Sequence, residues 1–255
     1  MVIAHRGYSQ YALENTLSAF DAAIKAGAKG IECDIRLTGD GEAIVNHNKH
    51  LLIDNKKIRI SKHSLTELKD VCKSSGHELL VLDDLFEYVK QQQAQFFLEI
   101  KSSSPTLAES IIKKIKEENL WQQVHITGFS FFVKNALLAQ SQHPKLQVGQ
   151  FLHFPTYAYI KRPKKSYCVF LGWLDGIRGS QTLFRTLISP TRLVKLKNFF
   201  EKNGFNVMGG VINNESGLDL FTQAGITDIV TDRVSETVNY FKQNPPAGGL
   251  IPSQS

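Results

Sequence analysis

Three acidic side chains lie in apolar, strand-like stretches of the sequence. Glu32 and Asp34 flank Cys33, so in a strand both carboxylates point to the same face. Glu99 lies within the apolar run of residues 96–100, where an unpaired carboxylate is costly to bury. Because carboxylate oxygens favour hard cations, the three acids predict a site for one divalent cation, Mg²⁺ or Ca²⁺, with Mn²⁺ as a further option.

Simpler interpretations of these acids stay open. A solvated strand end accounts for Glu32 and Asp34 equally well. An ion pair with Lys101, which shares the face of Glu99, accounts for the third acid. A bound cation has the advantage that it explains all three acids together.

Two histidines follow strand-like runs, a position at which barrel enzymes carry their active-site residues. His5 follows the first apolar run, beside Arg6, whose rigid guanidinium suits a phosphate. His47 ends the returning arm of a predicted hairpin, which carries it toward Asp34. Two imidazoles on opposite sides of a metal-bound phosphodiester can serve as general base and general acid, because their pKa lies near working pH. A purely structural role stays open for His5. The other histidines are interpreted as surface or structural residues: His50, His63, His77, His125, His143 and His153.

Short β-rich runs alternate with helical stretches, which is typical of a mostly parallel sheet with helical crossovers. The sequence predicts an α/β fold, a single (β/α)₈ TIM barrel, with an open doubly wound sheet as the rival. Strands are predicted at residues 2–5, 29–37, 96–101, 124–129, 147–152, 168–173, 183–188, 206–212 and 228–231, with one of the two runs between 168 and 188 irregular. Helices are predicted at residues 14–27, 65–72, 82–92, 107–118, 131–140, 191–203 and 215–224.

A β-hairpin extension is predicted after the second strand. Residues 38–42 are too few for a parallel crossover, so residues 43–47 return antiparallel through a turn at Asp40-Gly41. The barrel domain is predicted to span residues 1–243. A loose tail rich in proline and glycine follows at residues 244–255.

Composition narrows the classes of partner and the location. The 255 residues carry a net charge of +6, which favours anionic partners. The basic runs at residues 55–59 and 161–165 are interpreted as solvated loops, and no nucleic-acid-reading motif accompanies them, so no nucleic-acid partner is predicted. Three cysteines without paired spacing argue for a reducing, cytoplasmic location. Without a charged leader or a long apolar run, no stable membrane insertion is predicted.

With these positions in hand, the chain resembles the glycerophosphodiester phosphodiesterase family. Its pieces follow family order over nearly the whole chain: Ala4-His5-Arg6-Gly7, Glu14-Asn15-Thr16, Gly30-Ile31-Glu32-Cys33-Asp34, Val45-Asn46-His47, Leu98-Glu99-Ile100-Lys101, Phe129-Ser130 and residues 224–232. The resemblance implies a metal-dependent (β/α)₈ barrel enzyme. It would hydrolyse small glycerophosphodiesters, such as glycerophosphocholine or glycerophosphoethanolamine, to glycerol 3-phosphate and an alcohol.

The resemblance also assigns roles to eight positions. It implies that His5 and His47 are the acid–base pair and that Glu32, Asp34 and Glu99 are the metal ligands. Arg6 and Lys101 would bind the phosphate, and Asn15 would support the site with a hydrogen bond. Two routes stay open: attack by the substrate's own glycerol hydroxyl through a cyclic phosphate, and direct attack by water. Which imidazole acts first as base stays open too, as does the oligomeric state.

The sequence departs from the family pattern at three positions. Asn48 stands where an Asp usually follows the second histidine, so an orienting carboxylate is lost and slower catalysis is expected. Gly210 begins the segment that usually reads Trp-Thr-Val-Asn, which removes an aromatic wall and predicts a specificity for bulkier leaving groups. Val234 replaces a frequent proline with little mechanistic effect.

Two other functions stay open. The same chemistry could act on a lysophospholipid, as a lysophospholipase D, at a membrane surface. The basic loops and the aromatic residues Phe151, Phe154, Tyr157 and Tyr159 would then make a transient lipid contact. A barrel that binds an anionic ligand without turnover is the other alternative, although retention of both histidines and all three acids argues against it.

Overall fold

Eight parallel strands close into a barrel in the computed structural model, which describes residues 1–152, 167–174 and 176–245. In chain order the described strands are β1 (Val2–His5), β2 (Gly30–Leu37), β3 (Ala43–Val45), β4 (His50–Ile53), β5 (Lys56–Arg59), β6 (Gln95–Ile100), β7 (Val124–Gly128), β8 (Val148–Leu152), β9 (Cys168–Leu171), β10 (Asn206–Gly209) and β11 (Asp228–Thr231). Strand β1 pairs with both β2 and β11, so the parallel sheet is closed. The predicted (β/α)₈ barrel is confirmed, and an open sheet is excluded.

Helices follow the barrel strands along the chain. The described α-helices are α1 (Leu17–Lys25), α2 (Leu65–Ser74), α3 (Leu82–Val89), α4 (Pro105–Glu117), α5 (Lys134–Ala139), α6 (Ser180–Leu187), α7 (Pro190–Lys202), α8 (Glu215–Gln223) and α9 (Val234–Gln243). In α4 the buried residues Leu107, Ile111 and Ile115 recur every four positions, which places one apolar face against the core. Within the described ranges, no helix has both the length and the apolarity to cross a membrane.

The prediction of a strand at residues 183–188 is wrong, because these residues lie largely in helix α6. Phe184 and Ile188 are buried, whereas Leu183 and Leu187 are exposed. The spacing of four between the buried residues is the helical period and not the alternation of a strand. Sequence reasoning also missed helix α9.

The extension after β2 consists of an antiparallel strand and a separate hairpin. Strand β3 pairs with β2 with Val45 opposite Ile35, and it ends two residues before His47. Strands β4 and β5 form the second hairpin, in which His50 lies opposite Arg59. The predicted hairpin extension is confirmed, but the basic run at 55–59 includes a strand and is not only a solvated loop. The extension packs through a small apolar cluster of Ile44, Leu51, Ile53, Ile60, Leu68, Cys72 and Val81.

The barrel interior has an apolar layer, and a polar layer lies at the carboxyl ends of the strands. Its apolar cluster includes Ile3, Phe97, Phe170, Met208 and Val230. The buried ring of His125 stacks between Phe97 and Tyr167, with ring centroids 4.6 and 4.8 Å away. Burial lowers the pKa of His125 to about 3, so this ring is neutral. His125 therefore adds no charge to the barrel interior.

Candidate active site

Strand pairing brings the predicted acids to one end of the barrel. His5 ends β1 and lies opposite Glu32 of β2, and Asp34 lies opposite Glu99 of β6. Because alternate residues of a strand share a face, Glu32 and Asp34 both belong to the inner face. The result is a polar layer at the carboxyl ends of three adjacent strands, where barrel enzymes carry their sites.

Glu32, Asp34 and Glu99 form a buried cluster. One carboxylate oxygen from each lies within 4.8 Å of the others, and the residues are 2%, 0% and 6% exposed. Among the described residues, none hydrogen-bonds to the Oε1 atom of Glu32. Burial and the nearby charge of Asp34 raise the pKa of Glu32 to about 8, and burial also raises the pKa of Glu99. An unpartnered oxygen among crowded buried acids fits a hard divalent cation as ligand.

Lys101 supplies positive charge to two of these acids. Its Nζ atom lies 2.8 Å from Asp34 Oδ1 and 2.5 Å from Glu99 Oε1. Burial would raise the pKa of Asp34, but the charges of Lys101 and Arg6 outweigh it and lower that pKa. Asp34 is therefore ionised, and the ion pair of Glu99 with Lys101, the simpler interpretation of the sequence, exists within the same cluster.

The loop after β1 fixes Asp34 from the other side. The side-chain amide of Asn15 donates to Asp34 Oδ2 over 2.9 Å and its Oδ1 accepts from the Asp34 backbone over 3.1 Å. Arg6 lies with Nε 3.3 Å from Asp34 Oδ2 and Nη1 3.1 Å from Glu14 Oε2. Its backbone N–H also donates to Glu32 Oε2 over 3.1 Å. Arg6 and Asn15 thus border the acid cluster with donors already oriented.

His5 is paired with a carboxylate that sequence reasoning did not select. Its Nδ1 atom lies 2.8 Å from Asp232 Oδ1, and its Nε2 atom lies 3.8 Å from Glu32 Oε2. Burial alone would lower the pKa of His5, but the hydrogen bond to Asp232 and the charge of Glu32 raise it to about 8. Asn213 holds Asp232 in turn through an Nδ2 contact of 2.5 Å. The sequence does carry a signal, because Asp232 directly follows β11, the neighbour of β1.

His47 is attached to β2 through its backbone. The Nε and Nη2 atoms of Arg36 donate to the His47 carbonyl over 2.8 and 2.5 Å, and the N–H of Asn46 donates to the Asp34 carbonyl over 2.9 Å. Burial lowers the pKa of His47, against the opposing charge of Asp34. Among the described residues none hydrogen-bonds to its ring, in keeping with an Asn at position 48.

A closed (β/α)₈ barrel with a histidine and three buried carboxylates at the carboxyl ends of its strands has the layout of a barrel hydrolase. The sequence model of the glycerophosphoryl diester phosphodiesterase family matches residues 5–236. The chain therefore belongs to this family and is a hydrolase of phosphoric diesters.

Individual relatives agree with this assignment. A glycerophosphodiester phosphodiesterase of Caldanaerobacter subterraneus subsp. tengcongensis is 25% identical over 254 residues, covering 95% of this chain and 98% of the relative. A crystal structure of a glycerophosphodiester phosphodiesterase from Thermotoga maritima is similar with a TM-score of 0.71, 23% identity, and coverage of 94% of this chain and 97% of that chain. A phosphodiesterase of Oleispira antarctica, solved with the product sn-glycerol-3-phosphate, is similar with a TM-score of 0.68 and 22% identity, covering 95% and 96%. These structural likenesses support the fold.

Proposed function

We propose that this barrel hydrolyses glycerophosphodiesters, such as glycerophosphocholine and glycerophosphoethanolamine, to glycerol 3-phosphate and an alcohol. The observation that carries the proposal is the buried trio of Glu32, Asp34 and Glu99, in which Oε1 of Glu32 has no hydrogen-bond partner among the described residues. The glycerol 3-phosphate bound to the Oleispira antarctica relative supports the choice of product.

The trio would hold one divalent cation, Mg²⁺ or Ca²⁺, with Mn²⁺ as an alternative. When bound, such an ion neutralises charge on the phosphoryl oxygens and makes the phosphorus easier to attack. Arg6 and Lys101 already lie at this cluster and would bind the same phosphate. Asn15 keeps Asp34 in place through its two hydrogen bonds.

The two histidines would move the protons. His47, whose lowered pKa favours the neutral ring, accepts the proton of the attacking hydroxyl, either from the glycerol of the substrate or from water. Because the lowered pKa of Asp232 keeps this carboxylate ionised, His5 donates its Nδ1–H to it. The Nε2 atom of His5 then faces the site and gives a proton to the leaving alkoxide as the P–O bond to the alcohol breaks. Attack by water gives glycerol 3-phosphate directly, whereas attack by the glycerol hydroxyl gives a cyclic phosphate that a water molecule then opens.

The test of this proposal is the identity of the products. Incubation with glycerophosphocholine is expected to release glycerol 3-phosphate and choline in equal amounts, because the proton donor acts on the variable alcohol. Enzymatic detection of both products measures this. Release of phosphocholine and glycerol, or no release with Mg²⁺, Ca²⁺ or Mn²⁺ present, would contradict the proposal.

The state of the cysteines is evidence on the proposed cytoplasmic location. Cys33, Cys72 and Cys168 are all buried free thiols. Because free thiols persist in reducing compartments, this supports a cytoplasmic location.

A lysophospholipid substrate at a membrane surface is a second candidate, favoured by exposed apolar side chains around the mouth of the barrel. Tyr11, Leu13, Leu52 and Phe131 are 60–76% exposed, and all lie in segments that follow barrel strands or in the extension. The contact residues inferred from the sequence are not these. Phe151 is buried, while Phe154, Tyr157 and Tyr159 lie outside the described residues.

If this candidate is right, the protein should sediment with phosphatidylglycerol vesicles at low salt and less at high salt, because surface attraction is screened. Leu13→Asp at the mouth should weaken sedimentation, whereas Leu138→Asp on helix α5, at an equally exposed leucine, should not. Sedimentation that is absent, or that falls equally in both variants, would remove the membrane candidate.

A further inference from the structure

A basic cavity of about 250 Å³ adjoins the acid cluster. The charged side chains among its described lining residues are all positive: Arg36, Lys49, Arg59 and Lys101. A second cavity shares Arg36 and Lys49 with it and reaches His47. The positive surface therefore extends from one of the phosphate-binding cations to one of the proposed acid–base groups.

Arg36 continues the row of functional residues on β2. It follows Glu32 and Asp34 at alternate positions, so it lies on the same face, one step nearer the mouth. The paired residues Ile35 and Ile100 place Arg36 beside Lys101 on the neighbouring strand. Two adjacent cations repel each other unless an anion lies between them.

Within the part of the chain that the structure describes, the guanidinium of Arg36 contacts no counter-charge. Its hydrogen bonds among the described residues go to the His47 carbonyl, and no carboxylate of those residues lies within 4.0 Å of it. Lys101, in contrast, contacts both Asp34 and Glu99. The half-buried positive charge of Arg36 is therefore left to be matched by a ligand.

The other two cations are held in place by the β4–β5 hairpin. The N–H of Ile60 donates to the Lys49 carbonyl over 3.1 Å, which ties together the two ends of the hairpin. Arg59 lies opposite His50, the residue after Lys49. The hairpin thus presents both side chains to the same cavity as Arg36.

We propose that Arg36, Lys49 and Arg59 form a subsite for a second anionic group, a phosphate monoester carried on the alcohol part of the substrate. This inference rests on the proposed function, because Lys101 and the acid trio bind the phosphodiester. The second phosphate would lie roughly 7 Å from the first, which is the length of two residues along β2. A cavity whose described lining carries lysines and arginines and no acids suits a phosphate dianion better than a neutral or cationic head group.

The experiment compares glycerophosphoinositol with glycerophosphoinositol 4-phosphate, which differ only by the second phosphate. Wild-type protein is expected to show a kcat/KM about tenfold or more higher for the phosphorylated diester, because charge-assisted hydrogen bonds are strong. The double variant Lys49→Gln with Arg59→Gln should lose this preference and retain its activity on plain glycerophosphoinositol. A matched variant, Lys195→Gln with Lys202→Gln on exposed positions of α7, should keep the preference.

The outcomes separate this inference from the proposed function. Hydrolysis of plain glycerophosphoinositol without any preference for the phosphorylated form would overturn the inference alone, and so would a preference that survives in the Lys49/Arg59 variant. Failure to hydrolyse both inositol diesters, with glycerophosphocholine still hydrolysed, would overturn the inference alone. Failure to hydrolyse all three diesters would overturn both. Inorganic phosphate is the second arm: if it slows wild type but not the Lys49/Arg59 variant, while the phosphorylated diester has no advantage, the cavity binds free phosphate and the inference is wrong.

Discussion

Replacing His47 with alanine is expected to lower kcat/KM for glycerophosphocholine by about 10²–10⁴-fold, the range for loss of a general acid–base group. Its ring is half-buried beside Asp34, Arg6 and Lys101, and it has no described hydrogen-bond partner. Loss of the ring therefore removes the proton acceptor without breaking a side-chain hydrogen bond, so the fold should persist. Initial rates with saturating Mg²⁺ measure the effect, and the thermal midpoint checks folding.

A control variant and the pH dependence show whether the loss of rate comes from loss of a base at position 47. His143→Ala removes an imidazole that stacks on Trp121, and it should leave the rate unchanged. The pKa of His47 is lowered, so a base at this position should remain active to a lower pH than an ordinary histidine allows. In wild type kcat/KM should fall as the pH drops through that depressed pKa, and the His47→Ala variant should lack this limb. An unchanged rate, or a limb that persists, would contradict the role of His47.

Much of the fold was accessible from the sequence because its signals are local. Apolar runs located all eight barrel strands within one residue at their starts, as in Val2–His5 and Cys168–Leu171. The grouping of Glu32 and Asp34 on one face follows from strand alternation alone. Their approach to Glu99 needs only that β2 and β6 be neighbours, which a barrel order supplies.

The parts that sequence reasoning missed depend on closure and on cross-strand packing. Asp232 meets His5 because β11 pairs with β1, a contact between residues 227 positions apart. The role of Arg36 depends on the path of the chain at His47, which no local pattern specifies. The prediction of a strand at residues 183–188 was wrong for a different reason, because a short apolar stretch is ambiguous between helix and strand.

Removal of the divalent cation is the second large effect that the proposal predicts. Excess chelator should abolish release of glycerol 3-phosphate, and added Mg²⁺, Ca²⁺ or Mn²⁺ should restore it. Because an ion that binds only the folded state adds about 2.7 kcal/mol at one hundred times its Kd, the thermal midpoint should rise when the active ion is added. Full activity in chelator would contradict the metal role of the acid trio.

The variant Glu32→Gln separates the effect of the acid cluster on fold stability from its role in binding the cation. The pKa of Glu32 is raised to about 8, mainly by burial and by Asp34, so this carboxyl costs the metal-free fold stability as the pH rises from the ordinary glutamate pKa to that value. Glutamine mimics the neutral form. In chelator the variant should therefore be at least as stable as wild type at pH 8–9, yet gain no stability from the ion and lose activity.

The matched control is Glu78→Gln, at an exposed position away from the cluster. This variant should keep both the thermal shift on ion addition and the activity. The alternative account of the trio, in which Lys101 alone balances the acids, makes the opposite prediction. Under it no ion would shift the midpoint of either protein, and Glu32→Gln would retain its rate. A thermal shift present in wild type and absent only in Glu32→Gln is the result that assigns the cation to these carboxylates.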